Sequence, residues 1–231
     1  MLTLAIEVSN PSSGSDSSQV ALGSVSEAGI SVLGLEQVEP GSRRRDDLIP
    51  ACDRLLARCG KRPTDLEAIA VDVGPGGFTG LRVAVAAGAS MALALGARLI
   101  AVPAARVAAV SAPPGPFAVV LATKRERGWV EVNRDGEPAA GREMGTAEFS
   151  ALVPPGEPLR IIADEHLPDA WRAIAAERKW SLEPIRLNAT ALLAAAAAAP
   201  VAVEPRELRP IYAREPEAVT LWNARNPRPS G

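Results

Sequence analysis

The first half of the chain alternates short apolar runs with helix-period stretches. Leu2–Val8 is mostly apolar with weak alternation, as a central strand would be. Gln19–Ser24 and Ile30–Val38 read as two more strands, joined through the turn residues Glu27–Gly29. Leu48, Cys52, Leu55, Leu56 and Cys59 then share one face at helical spacing. Asp46 or Asp47 opens that helix, Pro50 is tolerated in its first turn, and Gly60 closes it. Leu66–Val73, bounded by Pro63 and Gly74, is β-branched and suits a buried strand. A glycine-rich turn follows, then a long alanine and leucine run to Gly96 that suits a helix. Arg98–Val102 reads as a strand, and Pro103 starts a helix through Ala109.

Pro113-Pro114-Gly115-Pro116 is the strongest boundary signal. Beyond it come strands at Phe117–Thr123 and Gly128–Asn133, and a short helix at Thr146–Leu152 with Thr146 as cap. A strand at Leu159–Ala163, a helix at Leu167–Lys179 and a strand at Leu182–Leu187 follow. An alanine helix capped by Asn188 or Thr190 ends at Pro200. The pattern predicts a first lobe over 1–112, a second over 113–205, a return of 206–222 onto the first, and a disordered tail at 223–231.

The helix after the glycine turn carries small residues every fourth position: Gly80, Ala84, Gly88, Ala92 and Gly96. Glycine inside a helix costs about 1 kcal/mol relative to alanine, so the stripe predicts close approach of another helix or backbone. Packing on the chain's own sheet would satisfy it equally.

The 231 residues suffice for one or two small domains. A net charge of −2 argues against a chain that grips nucleic acid by itself. Cys52 and Cys59 sit seven apart on one helix face, which predicts reduced thiols rather than a bridge. Met1 leads straight into a strand, so no signal peptide is expected and the expected compartment is cytoplasmic. Val83–Ala97 is uncharged but shorter than the roughly 20 residues of a membrane span, so it reads as a packed helix.

Strand, glycine turn and helix together raise the question of phosphate. Gly74, Gly76 and Gly77 allow positive φ and close approach, and the helix N-terminus offers unpaired N–H groups. A Walker A loop is excluded, because no lysine lies between Lys61 and Lys124. The dinucleotide fingerprint fails as well: Thr79 holds its third glycine position, and no acid lies between Asp72 and Glu126.

The segment Gly74-Pro75-Gly76-Gly77-Phe78-Thr79-Gly80-Leu81-Arg82 resembles the Gly-Pro-Gly-Ser-Phe-Thr-Gly-Leu-Arg stretch of the TsaB (YeaZ) family. That family is the bacterial non-catalytic partner in synthesis of threonylcarbamoyladenosine on tRNA. Asp65–Val71 resembles its lead-in strand, Leu2–Val8 its first strand, and Leu208–Arg214 its closing Pro-x-Tyr-x-Arg segment. The likeness is good over Pro50–Ala109 and weak across Pro113–Pro205.

The resemblance implies an α/β, two-lobed actin/hexokinase/Hsp70-like (ASKHA) fold with a duplicated ribonuclease-H-like core. The superfamily's first turn, Asp-x-Gly-Thr/Ser, holds nucleotide phosphates; TsaB proteins keep Asp-Thr-Ser. Here the turn is Glu7-Val8-Ser9-Asn10. Glu7, Ser9 and Asn10 are nucleotide-binding candidates by position, but without the glycine a solvated serine-rich turn through Ser18 is the stronger reading. The family's lysine is Ala89 here, its histidine is Arg44, and of its Asp-Ala-Arg-x-Gly-Glu-Val-Tyr segment only Arg125 aligns. Ala163-Asp164-Glu165 lacks the glycines expected near adenosine.

By the same resemblance, two helices pair with a catalytic TsaD-type subunit or with a second copy. The expected partner surface is Leu48, Cys52 and Leu55 on the first helix, with Gly80, Leu81, Ala84, Val85, Gly88 and Ala92 on the second. A bulky residue at Gly88 or Ala92 is then expected to abolish association and leave a folded monomer.

TsaD-type proteins hold a metal through His-x-x-x-His. His166 is the only histidine in this chain, so that site cannot be built and no metal is expected. The reading is a non-catalytic scaffold or activator of a TsaD-type transferase, with a small TsaE-type ATPase as further partner. It is expected to be a homodimer when alone, to meet tRNA only indirectly, to touch no membrane and to hold no cofactor, with a weak ATP or ADP site at a subunit interface left open. The alternatives are an ATP-dependent small-molecule kinase of the same fold and an inactive glycoprotease-like (M22) protein.

Overall fold

Large aliphatic side chains and alanines alternate along the central strands, and that alternation decides which helices cover each face. The computed structural model describes residues 1–9, 18–26, 29–39, 47–112, 114–123, 126–134, 137–138, 140–213, 219, 221–222 and 225–226. The expected tail at 223–231 and the loop after Ser9 lie almost entirely outside these.

The first half runs β1 (Leu2–Glu7), β2 (Gln19–Ser26), β3 (Gly29–Gln37), α1 (Leu48–Arg58), β4 (Ala68–Gly74), α2 (Phe78–Leu95), β5 (Arg98–Pro103) and α3 (Ala104–Ala109). The second half runs β6 (Phe117–Ala122), β7 (Gly128–Arg134), β8 (Glu137–Pro138), β9 (Arg142–Met144), α4 (Thr146–Ser150), β10 (Arg160–Ala163), α5 (Asp169–Glu177), β11 (Ser181–Pro184) and α6 (Ala189–Ala198). Among the described residues the strands form two sheets, ordered β3-β2-β1-β4-β5 and β11-β10-β6-β7-β8, with β9 on β7. In each, an antiparallel hairpin feeds a parallel pair: Ile6 faces Val71 in the first sheet and Val120 faces Ala163 in the second. The repeat is a two-lobed α/β core in which the same strand arrangement occurs twice.

Leu4 and Ile6 of β1 and Ile69, Val71 and Val73 of β4 join a core with α1 and α2. Ala5, Ala68 and Ala70 face the other way, towards α3 and α6. Alanines there let the alanine-rich α6 approach the sheet closely, and with both faces covered β4 is buried at every position. Phe117, Val119 and Leu121 of β6 close the same inner layer from the second sheet. On the far side, Phe149 of α4 stacks on Trp171 of α5 with ring centroids 4.0 Å apart.

One expected boundary is corrected. The span 113–205 includes α6, which packs across the first sheet rather than the second. Beyond it, Ala101 N donates to Val201 O (3.1 Å) and Val203 N to Leu99 O (3.0 Å), so 201–203 lines the edge of β5. Leu208 then enters the first core. Helix α6 has no polar face to betray which sheet it covers, and sequence order alone put it with its neighbours.

Caps follow local chemistry. Asn188 caps α6, its side-chain oxygen accepting from Ala191 N (2.8 Å), and Thr190 lies within the helix. Gly96 closes α2 in the left-handed region at φ 65°. Asp47 stands at the N-cap of α1 but makes no capping bond. It pairs with Arg54 (2.8 Å), which also meets Glu36, and this pairing holds the Asp47 carboxyl down at about 2. Gly145, not Thr146, caps α4, with Glu148 accepting from Gly145 N.

Candidate functional site

The parallel pairing of β1 with β4 sets Ile6 opposite Val71, which brings the next residues, Glu7 and Asp72, together at one end of the sheet. Both carboxyls and Ser9 are fully buried. Ser9 Oγ lies 2.7 Å from Glu7 Oε1 and 2.9 Å from Asp72 Oδ2. Ser9 N donates to Glu7 Oε1 (3.0 Å), while Gly74 N donates to Asp72 Oδ1 (2.6 Å). Among the described residues Glu7 Oε2 finds no donor. One hydroxyl proton cannot serve two carboxylates, so this cluster holds a shared proton. Burial and the neighbouring Asp72 raise the Glu7 pKa well above the usual carboxylate range, and burial raises that of Asp72 as well.

The glycines of the turn are taken up by the chain itself. Gly74 sits at φ 92° behind a cis Gly74–Pro75 peptide, and a Cβ there would stand 2.9 Å from the Ile211 carbonyl oxygen. A Cβ on Gly76 would collide with the Ser9 carbonyl, and one on Gly80 with that of Val8. Gly77 N donates to Ser9 O at 2.5 Å. The end of β1 therefore packs against the turn at Gly76 and Gly80, and buried acids stand behind it. Glu7 and Ser9, positioned as nucleotide-binding candidates, act here as internal partners of Asp72. Asn10, Arg44 and Arg125 lie outside the described residues.

The turn also anchors the C-terminal segment. Ile211 N donates to Val73 O (2.7 Å), and the rings of Phe78 and Tyr212 stand 5.3 Å apart. The Arg82 guanidinium lies 4.9 Å from the Phe78 centroid. Thr79 is exposed beside them, and Pro75 is buried. Two sequence segments far apart in the chain thus meet at one surface.

The expected partner surface is corrected by burial. Leu48, Cys52 and Leu55 of α1 and Leu81, Ala84, Val85, Gly88 and Ala92 of α2 all face the chain's own first sheet. A Cβ on Gly88 would strike the Val71 side chain. Gly80 belongs to the contact with Val8. Small residues recur on this helix because β4 lies against it, so the stripe is an internal seam. The outward face of α2 is different: Ala86, Ser90, Leu93 and Ala94 are exposed, and Val83 and Ala87 are half-buried. By length and composition Phe78–Leu95 is apolar enough to cross a membrane, yet it connects two neighbouring strands of one sheet and packs on them.

Neither Asp72 nor the outer face of α2 stood among the expected site residues. An acid ending an otherwise apolar strand was the available signal for Asp72. In the second lobe Asp164 repeats the theme: Ala122 N and His166 N donate to its carboxylate (2.8 and 3.0 Å), and burial raises its pKa. His166 itself is exposed, 3.7 Å from Glu165. Cys52 and Cys59 are both free, and burial pushes the Cys52 thiol up to about 12, which makes it inert.

The shared proton gives a pH test. Folded Glu7 keeps its proton where an unfolded glutamate has lost it, so the folded state binds more protons above about pH 4.5. The contribution of Glu7 to stability is then greatest at low pH and falls as pH rises from there through the folded pKa. Glu7→Gln retains a donor and an acceptor without titrating. Relative to Glu7→Gln, the parent's melting temperature is expected to fall by up to about 3–5 °C per pH unit as pH rises above about 4.5. Parallel melting curves over that range would contradict the assignment.

Part of the sequence and the fold are similar to known proteins. Residues 42–127 match the family model of TsaD, tRNA N6-adenosine threonylcarbamoyltransferase. YeaZ from Pseudomonas aeruginosa is 20% identical, with a TM-score of 0.64 over 91% of this chain and 100% of that one. An uncharacterised protein from P. aeruginosa with similarity to peptidase YeaZ is 21% identical, with a TM-score of 0.66 over 92% of this chain and 99% of that one. No curated protein matches the chain.

Proposed function

We propose that this chain, similar to TsaD over 42–127 and to YeaZ in its fold, is the non-catalytic partner that holds and activates a TsaD-type subunit for threonylcarbamoylation of adenosine in tRNA. The observation that carries this reading is the outward face of α2. Ala86, Ser90, Leu93 and Ala94, one turn beyond the exposed Arg82, leave an uncharged strip of small and aliphatic side chains on the outside of the lobe. Uncharged, small-residue helix faces allow a second helix to approach closely, and contiguous exposed apolar surface marks interaction sites. Helix α1 lies on the same side of the sheet, with Ile49 exposed, so two helices can meet two from a partner.

The filled glycine turn supports the non-catalytic part. Ser9 and Val8 occupy the approach to the turn, and Glu7 and Asp72 put acid where a phosphate needs donors or cations. In this reading a TsaE-type ATPase joins through the same assembly, tRNA is met through the catalytic subunit, the compartment is cytoplasmic, and the chain alone pairs with a second copy through the same face.

Reconstitution tests it. The chain is mixed with the TsaD-type and TsaE-type proteins of the same genome, tRNA and the threonylcarbamoyl adenylate. The chain alone is expected to transfer nothing. Added to the other two it should raise modification about tenfold or more, a coupling of about 1.4 kcal/mol. Transfer by the chain alone, or no stimulation, would overturn the proposal.

A further inference from the structure

A groove of about 430 Å³ opens between α3 and α6 on one side and β6 and β7 on the other, away from the glycine turn. That is the size of a small-molecule site. Its floor and walls are mainly apolar, from Ala105, Ala109, Val119 and Ala195. Two opposite charges break this lining: Arg106 from α3 and Glu131 from β7, with the Asn133 amide next along the same strand face. No ion pair closes between Arg106 and Glu131, and among the described residues neither side chain has a hydrogen-bond partner. Arg106 nevertheless acts on Glu131 through space, opposing the desolvation that raises the Glu131 pKa.

A half-buried carboxylate and a half-buried guanidinium, unpaired with each other and set in a mainly apolar groove, present complementary charge to a molecule carrying both signs. We propose that this groove binds a free aliphatic α-amino acid. Its carboxylate sits on Arg106, its ammonium on Glu131 with Asn133 beside it, and its side chain against the alanines of α3 and α6. A purely anionic ligand would leave Glu131 repelling it, and a purely cationic one would face Arg106. The groove joins helices that cover the first sheet to strands of the second, so an occupant would bridge the two lobes.

The test is calorimetric titration of the full chain with l-leucine, 4-methylpentanoate, which lacks the ammonium, and 3-methylbutylamine, which lacks the carboxylate. Leucine is expected to bind about tenfold or more tightly than either analogue, the effect of one charge-assisted contact. Glu131→Gln should bring leucine down to the level of 4-methylpentanoate, and Arg106→Gln down to that of the amine. Ala198 lines the groove and is exposed, so Ala198→Leu should block binding without lowering the melting temperature. No heat with leucine at millimolar concentration would overturn the proposal. So would leucine binding that survives Ala198→Leu, or that Glu131→Gln leaves unchanged.

Discussion

Ala86→Arg is expected to weaken association with a TsaD-type subunit by about 100-fold or more, because an unpaired charge buried in an interface costs about 3–5 kcal/mol. Ala86 is exposed on the outward face of α2, where arginine is a good helix former, so the monomer should be unaffected. Its melting temperature is expected to stay within about 2 °C of the parent, as for an ordinary surface change. Calorimetric titration against the catalytic subunit reads the first effect and a thermal melt the second. Unchanged affinity would remove α2 from the interface.

Gly88→Leu separates the two faces of the same helix. Gly88 lies against Val71, and even a Cβ would strike that side chain. A leucine must push α2 off β4 or distort the strand. The expected cost is about 3 kcal/mol or more, at the upper end of overpacking, which lowers the melting temperature by roughly 6–12 °C. Any loss of association then follows from a damaged fold. A folded, fully stable Gly88→Leu monomer would contradict the internal seam. The pair of variants distinguishes seam from interface, since each should move only one of the two readouts strongly.

The difference between these variants shows where sequence reading stops. Strand, turn and helix around Gly74–Arg82 were legible because β-branched runs, glycines and alanine-rich runs each have a strong local preference. The hairpin at the N-terminus and most later elements followed from period and punctuation. The orientation of α2 did not, because the helix is apolar nearly all round and a hydrophobic pattern without a polar face selects no direction. The fourfold recurrence of small residues was visible, but close approach to β4 and close approach to a partner require the same residues. The allegiance of α6 to the first sheet failed for the same reason.

The cluster at Glu7 was partly legible. The departure from the family's aspartate and the missing glycine already argued against a phosphate cradle. What the sequence lacked was the register that sets Glu7 beside Asp72, sixty-five positions away in the chain, and the approach of Ser9 to Gly77. Those contacts explain the glycines: they admit the end of the first strand. The meeting of Phe78 with Tyr212 depends likewise on the return of the C-terminal segment, which no local pattern encodes.

The measurement that tests the scaffold reading most directly is the mass of the mixture with the TsaD-type subunit of the same genome, by light scattering on a size-exclusion column. A chain of 24.0 kDa that serves as a scaffold through α2 should run alone at twice that mass. With the catalytic subunit it should form a complex of one copy each, and Ala86→Arg should abolish both species. Two separate peaks at the masses of the free proteins, with or without nucleotide, would contradict the account.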